Sequence, residues 1–433
     1  MASKIKLGIF GAYRGVSSIE CCNYLEDVEI VAICDKSEYA LNSYRKNSCG
    51  ANIAFYNDYD EFVKHDMDAI VLANHANEHA PFAIKALKSG KHVLSEVVPV
   101  QTMKEAVELV EAVETSGKIY AYGENYCYIP AVSEMKKLYR ENKIGEFEYG
   151  ECEYIHNCEA IWPSLTYGEE SHWRNNMYST FYCTHSIGPI IHITGLRPIK
   201  VNGLEGTKTE RRLRTGAKGG AFGIEMITLE NGGIIKSIHG GLYKNSTWYS
   251  IYGSLGRMEC GREDADGIST SDNSHLSKLY ITYDEFSGGY ETGKWEFINP
   301  TEGIDDTVAS FGHNGSDFYS INNFIEKIRG NEDADIIDVY EALDIFLPGM
   351  FAYRSILEDG KAMSIPNLRD IKERDKWRND TACTDDAIAG NMILPTISTG
   401  TPDIEPEIYE YMKLLWEDDC GDGESEDASC NNI

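Results

Sequence analysis

The residues of this 433-residue chain best suited to chemistry are Tyr182 and His185, in the string Tyr182-Cys183-Thr184-His185-Ser186-Ile187-Gly188-Pro189. If the segment is helical, positions three apart share a face. Histidine exchanges protons near neutral pH, and tyrosine does so once neighbours lower its pKa. The two are a candidate acid–base couple; the alternative is a packed helix face with satisfied hydrogen bonds. A second group, His156, His172, Trp173 and Arg174, combines rings and cations suited to stacking on a sugar and hydrogen-bonding it, although each also fits an ordinary surface. His313 and Asp317, in Gly312-His313-Asn314-Gly315-Ser316-Asp317, either join such a site or cap the helix that follows.

A different chemistry is written near the start, in Gly8-Ile9-Phe10-Gly11-Ala12-Tyr13-Arg14-Gly15. Glycines between a strand and a helix permit a sharp turn and let a pyrophosphate approach the backbone at the helix N-terminus. The fit to GxGxxG is imperfect: Tyr13 stands at the middle glycine, and Gly15 comes one residue early. Asp35 ends the next apolar run. A carboxylate there holds ribose hydroxyls and repels a 2′-phosphate, which favours NAD over NADP, although Lys36 alongside pulls the other way. Helix N-capping is the alternative role for Asp35.

These groups need elements to carry them. Short β-rich runs at 6–10, 30–34, 69–73, 92–95 and 119–122 alternate with helical patterns at 81–89 and 103–115. That alternation predicts a doubly wound parallel α/β sheet, with Glu96 and Asn125 at its ligand-binding edge. Past residue 124 the pattern changes to a helix, a strand near 145–156, a helix over 178–194 and period-two strands through 199–300. A second, α+β domain with a large, mostly antiparallel sheet is expected. Helical patterns return at 316–328 and 335–357, and an acidic tail from Trp416 onward is expected to be disordered. The expected division is 1–124 for the dinucleotide, 125–380 for substrate and oligomerisation, and 381–433 as an extension.

The bulk properties narrow the partners. With 70 acidic and 40 basic residues the formal charge is −30, which repels nucleic acid and anionic membranes. No apolar run approaches the roughly 20 residues of a membrane helix, and the opening MASKIKLGIF has no signal architecture. The 12 cysteines include no CxxC pair, so no metal site or disulfide framework is expected, and a reducing cytoplasm is.

Three further segments carry a resemblance. Ala73-Asn74-His75-Ala76-Asn77-Glu78-His79, then Ala83-Ile84-Lys85-Ala86-Leu87, then Gly90-Lys91-His92-Val93-Leu94-Ser95-Glu96 resemble the glucose–fructose oxidoreductase, inositol dehydrogenase and MocA-like (Gfo/Idh/MocA) family. Lys143-Ile144-Gly145-Glu146 leading to Tyr154, and Gly360-Lys361-Ala362-Met363-Ser364-Ile365-Pro366, are similar to its later segments. The resemblance covers residues 5–368. It implies bound NAD, a small sugar or glycoside as partner, and a homo-oligomer (dimer or tetramer) built through the open sheet. It also places Gly11, Ala12, Tyr13, Arg14, Gly15, Asp35, Ala73, Asn74, His75, His79, Glu96 and Asn125 at the cofactor.

The departures say more. Dehydrogenases of the family have Glu-Lys-Pro after the fifth strand, and the lysine moves the proton; here Glu96-Val97-Val98-Pro99 carries none. The Tyr182–Pro189 string resembles the Tyr-x-Thr-His-x-x-Gly-Pro of the family's NAD-dependent α-N-acetylgalactosaminidases, which also lack that lysine. Gly312–Asp317 resembles their Gly-His-Gly-Gly-x-Asp. The resemblance therefore implies Tyr182 and His185 as catalytic groups, with Glu96, Asn125, His156, His172, Trp173, Arg174, His313 and Asp317 around the sugar. The implied reaction is glycoside hydrolysis by transient oxidation at C3, elimination of the C1 substituent, water addition and re-reduction, an exception to the usual carboxylate pair. A glycoside or sugar 3-dehydrogenase is the alternative, and a non-catalytic NAD- or sugar-binding regulator a third reading.

Overall fold

The computed structural model describes residues 4–47, 52–262, 278–283, 294–300 and 304–421. Strands β1 (Ile5–Phe10), β2 (Val28–Cys34), β3 (Ala54–Tyr56), β4 (Ala69–Leu72), β5 (His92–Ser95) and β6 (Tyr120–Tyr122) form one parallel sheet in the order β3-β2-β1-β4-β5-β6. Helices cover both faces of such a sheet, so its central strands are continuous apolar runs, as Ala69-Ile70-Val71-Leu72 illustrates. The five expected runs are all present. β3 was not foreseen, because three residues are too few to display a period. The strand order reverses between β1 and β4, which opens a crevice beyond their C-terminal ends. Gly11, at φ +98°, makes that junction close: a Cβ there would lie 2.3 Å from the Ala73 carbonyl.

The second sheet comprises β7 (Phe147–Ile155), β8 (Pro198–Glu205), β9 (Phe222–Leu229), β10 (Ile234–Gly240), β11 (Ser246–Gly253), β12 (Gly256–Cys260), β13 (Leu279–Tyr283), β14 (Lys294–Ile298) and β15 (Met363–Ser364). Its order is β14-β13-β12-β11-β7-β10-β9-β8-β15, antiparallel throughout except for β10 against β7. Alternation is plain in β10, where Ile235, Ser237 and His239 turn inward. The inner face packs on the helices Thr184–Thr194 and Val339–Leu357.

Helix Ser316–Ile328 returns to the first sheet, burying Phe318, Ile321, Phe324 and Ile325 with Ile5, Leu7 and Ile9 of β1. Its apolar stripe thereby delivers Asp317 to the crevice.

Two expectations are corrected. The helix expected over 178–194 begins only at Thr184; the preceding segment is a turn closed by the Phe181 N–H on the Tyr178 carbonyl at 3.1 Å. Thr180 there donates its hydroxyl to the Gly349 carbonyl at 2.7 Å, so packing on the long helix overrides local periodicity. The chain from Trp416 was expected to be disordered, but helix Pro406–Gly421 continues past it. Tyr409 and Met412 are buried, and the Trp416 ring meets Tyr167 at 5.4 Å, a helical spacing masked in the sequence by acidic residues. Residues 422–433 of the same tail lie outside the described residues. Among the described residues, no helix is long and apolar enough to cross a membrane.

Candidate active site

Along the crevice, the Ala12 N–H donates to Asp35 Oδ2 at 2.7 Å, while Oδ1 accepts the Ser37 N–H at 2.8 Å. Asp35 thus ties the end of β2 to the glycine loop. Lys36 is taken up by Glu78, with Nζ 3.1 Å from both carboxylate oxygens. Helix Val16–Tyr24 starts at Gly15 and aims its free N–H groups at the crevice mouth. Across from it, His79 is buried with Nδ1 2.9 Å from the Val98 carbonyl and Nε2 3.1 Å from the Asn74 carbonyl. Burial pushes its pKa down to about 4, against the two carbonyls that favour the charged form; the neutral ring can donate to only one of them at a time. Asn74 Oδ1 and Asn125 Oδ1 are buried without a partner, as expected of groups that await a polar ligand. The crevice therefore fits a dinucleotide: the glycine loop Gly11–Gly15 and Asp35 line one part of it, and Asn74, Glu96 and Asn125 carry polar groups along the rest.

At that end, Arg14 Nη2 lies 3.2 Å from Glu96 Oε1. The Glu96 carboxylate, nearby Asp317, and the Tyr182 and Tyr154 hydroxyls outweigh burial and hold the Arg14 guanidinium firmly charged. Burial raises the Glu96 pKa, with Arg14 opposing it and Asp317 adding to it. Asn125 Nδ2 donates to Asp317 Oδ1 at 2.8 Å, and His313 Nδ1 approaches the same oxygen at 3.1 Å. Burial alone would raise Asp317, but His313, Arg14 and Asn125 hold it well below the carboxylate range. His313 and Asp317 do not cap the next helix, whose N-cap is Gly315 without any side-chain cap. A small cleft opens here, lined by Glu96, Asn125 and Asp317.

His185 sits at the first turn of its helix, where Nδ1 meets Oε1 of the fully buried Glu124 at 2.6 Å. The carboxylate fixes the ring and its tautomer, leaving Nε2 to handle a proton. Gly188 makes room for this contact, since a Cβ there would fall 2.9 Å from Glu124 Cγ. Pro189 has no N–H for the His185 carbonyl four residues back; the buried Tyr249 hydroxyl donates to that oxygen instead, at 2.5 Å. The rings of Tyr126, Tyr154 and Tyr182 pack on His185 with centroids at 4.7, 4.7 and 5.2 Å. Tyr182 therefore meets His185 from the turn before the helix rather than from a helix face. Burial raises its pKa, against a partial pull from Arg174, the opposite direction from the lowering expected above.

Trp173 stacks on Tyr182 at 6.2 Å, and the Arg174 guanidinium lies 5.5 Å from the Tyr182 ring centre. His172 is buried, its Nδ1 accepting the Arg174 N–H at 3.2 Å as the cap of helix Trp173–Asn176, and its ring meets His75 at 4.8 Å. Burial, His75 and Arg174 lower its pKa to about 3, so it stands neutral behind Trp173 and Arg174. His156 Nδ1 is 3.2 Å from the Tyr154 hydroxyl.

The structure thus joins Arg14, Glu96, Asn125, Asp317, His313, Tyr182, His185, Trp173 and Arg174 around one end of the crevice. Asp35 belongs to the other end, and His79 and His172 act from behind. Sequence reasoning missed Glu124, Tyr126, Tyr154 and Tyr249. An acid beside Asn125 after an apolar strand was the available signal for Glu124; the tyrosines gave none.

A family model described as an oxidoreductase family with an NAD-binding Rossmann fold (GFO_IDH_MocA) matches residues 5–124. A glycosyl hydrolase family 109 protein from Solibacter usitatus (strain Ellin6076) is 25% identical over 413 residues, spanning 86% of this chain and 89% of that protein. Over residues 5–124 the chain matches the Gfo/Idh/MocA family, and over most of its length it is similar to glycosyl hydrolase family 109 proteins. The chain is an NAD-dependent enzyme. Among solved structures, an oxidoreductase domain protein from Kribbella flavida is similar at a TM-score of 0.67 and 18% identity, covering 84% of this chain and 100% of that one. Levoglucosan dehydrogenase in complex with NADH and levoglucosan gives 0.66 at 14% identity, with 84% and 100% covered. At these identities the likeness speaks for the Gfo/Idh/MocA fold. Val97 and Val98, after β5, are buried in the core and carry no group that could exchange a proton.

Proposed function

We propose that this enzyme is an NAD-dependent glycoside hydrolase that oxidises C3 of a sugar transiently, with residues 1–124 holding the dinucleotide and 125–380 shaping the sugar pocket. The observation that carries the reading is the Glu124–His185 contact at 2.6 Å, with Tyr182 against the ring, at the crevice end that lacks the lysine. Bound NAD supplies a hydride acceptor that later returns the hydride. Tyr182 hydrogen-bonds the C3 hydroxyl and relays its proton to His185 Nε2. Glu124 stabilises the imidazolium that results. Trp173 stacks on the sugar, and Arg174, Asn125 and His313 bind its hydroxyls. With C3 a ketone, the C2 hydrogen is acidic: a base removes that proton, the C1–O bond breaks and the aglycone oxygen leaves carrying a proton from that base. Water then adds across C1–C2, its oxygen to C1 and its proton to C2, and His185 returns its proton to the C3 oxygen as the hydride comes back to C3. The engagement of Lys36 by Glu78 supports NAD over NADP.

The test is incubation with NAD and a panel of aryl glycosides. Free aglycone without accumulating NADH is expected. Stoichiometric NADH with the glycosidic bond intact would make the chain a glycoside 3-dehydrogenase. Leu204, Met226 and Ile234 stand exposed on β8, β9 and β10 and support a homo-oligomer formed through that sheet face, which light scattering would register as twice or four times the 48.5 kDa chain.

A further inference from the structure

Beyond β7 the chain places Cys158 beside Arg212, which has no salt-bridge partner among the described residues. Arg212 is 9% exposed, its Nε has no hydrogen-bond partner, and its guanidinium lies 4.7 Å from the Trp162 ring centre. A buried, unpaired cation is costly and calls for an anion. The nearest carboxylate is already used: Glu159 pairs with Arg211 at 3.2 Å and with Arg214. Arg212 and Cys158 line the same cleft, together with Trp162 and Thr215, and Cys158 is itself partly exposed. His156 hydrogen-bonds the Cys158 sulfur from one side, and Arg174 adds positive potential from the sugar pocket. Burial alone would raise this thiol's pKa, but His156, Arg174 and Arg212 together bring it below the ordinary value. Cys21, Cys22, Cys34, Cys127, Cys152, Cys183, Cys260 and Cys383 are buried, and burial raises the pKa of each.

We propose that Cys158 is a nucleophilic thiolate serving as counter-ion to Arg212, and that it is a modification site for small electrophiles, anionic ones above all, at the wall of the sugar pocket. In the reaction with a haloacetyl reagent, the sulfur lone pair forms the new C–S bond. Iodide leaves with the electrons of the C–I bond, and nothing is oxidised or reduced. The site touches the catalytic groups through a short relay, since His156 also contacts the Tyr154 hydroxyl, and the Tyr154 ring packs on His185.

The experiment treats the native full-length protein with limiting iodoacetate or iodoacetamide and maps labelled peptides by mass spectrometry. It reads labelling alone, so its result does not depend on the glycosidase assignment. Cys158 should be labelled first, and C158S should lose the fast phase, which separates it from Cys49, Cys420 and Cys430. A local cationic field should favour the anionic reagent. The iodoacetate-to-iodoacetamide rate ratio at Cys158 should exceed that of the urea-unfolded chain by about tenfold. R212Q should remove that excess and R212K should keep most of it, with circular dichroism confirming that both fold. Slow labelling of native Cys158, or a ratio that R212Q leaves unchanged, would overturn the proposal.

Discussion

Exchanging Glu124 for glutamine keeps the side chain's size but removes the charge behind the His185 Nδ1–H. If His185 takes a proton during turnover, E124Q loses the group that stabilises the imidazolium, and kcat should fall about 10²- to 10⁴-fold, the range general acid–base groups contribute. Y182F and H185A should each lose activity on the same scale. All three should bind NAD as the parent does, because their side chains lie at the sugar end of the crevice; nucleotide titration by fluorescence checks this. A drop in NAD affinity equal to the drop in rate would mean that the residues support the cofactor site instead. The Tyr182 phenol is held above its ordinary pKa, mainly by burial, so no activity limb in the range where free tyrosine ionises is expected.

At the scale of elements, the helix Thr184–Thr194 contains a built-in vacancy. Pro189 leaves the His185 carbonyl without its helical donor, and Tyr249 of β11 fills the gap. Y249F should cost about 1–3 kcal/mol in urea unfolding, the penalty for an unsatisfied buried acceptor. P189A supplies an N–H aimed at the same oxygen, so the double variant should recover part of that loss. Strictly additive effects in the four-way cycle would show that the hydroxyl and the proline act independently. The same contact links β11 of the large sheet to the residue that handles the proton, so packing of that sheet sets the position of the imidazole.

For the whole molecule, Asp317 joins parts of the chain nearly 200 residues apart, since Asn125 donates to it at a separation of 192 positions. Its folded pKa lies below the ordinary 3.8, because His313, Arg14 and Asn125 outweigh burial. A depressed carboxylate contributes stability that is fully present above the unfolded value and is lost as pH falls through the folded one. D317N should therefore be less stable than the parent at pH 7, by about 1.5–3 kcal/mol for a charged hydrogen-bonded group. The gap should narrow as the pH drops below about 4, the region of the unfolded value of 3.8. Melting curves of both proteins across that interval decide it; a gap independent of pH would place the effect in packing rather than in charge.

The parallel sheet was legible in the sequence because buried strands are continuous apolar runs, and helix 316–328 because its apolar stripe has the helical period. Tyr182 and His185 do lie together, but from a turn and a helix start rather than from the shared helix face that their spacing suggested. The start of the Thr184 helix was not legible, since it is set by contacts with a helix more than 150 positions away. The partner of His185 and the counter-ion of Arg212 were equally invisible. Local pattern determines what an element is and which face it buries. Which carboxylate meets which imidazole, and which cation finds none, is decided only when distant elements share one low-dielectric space, where an unpaired charge costs more than local preference can repay.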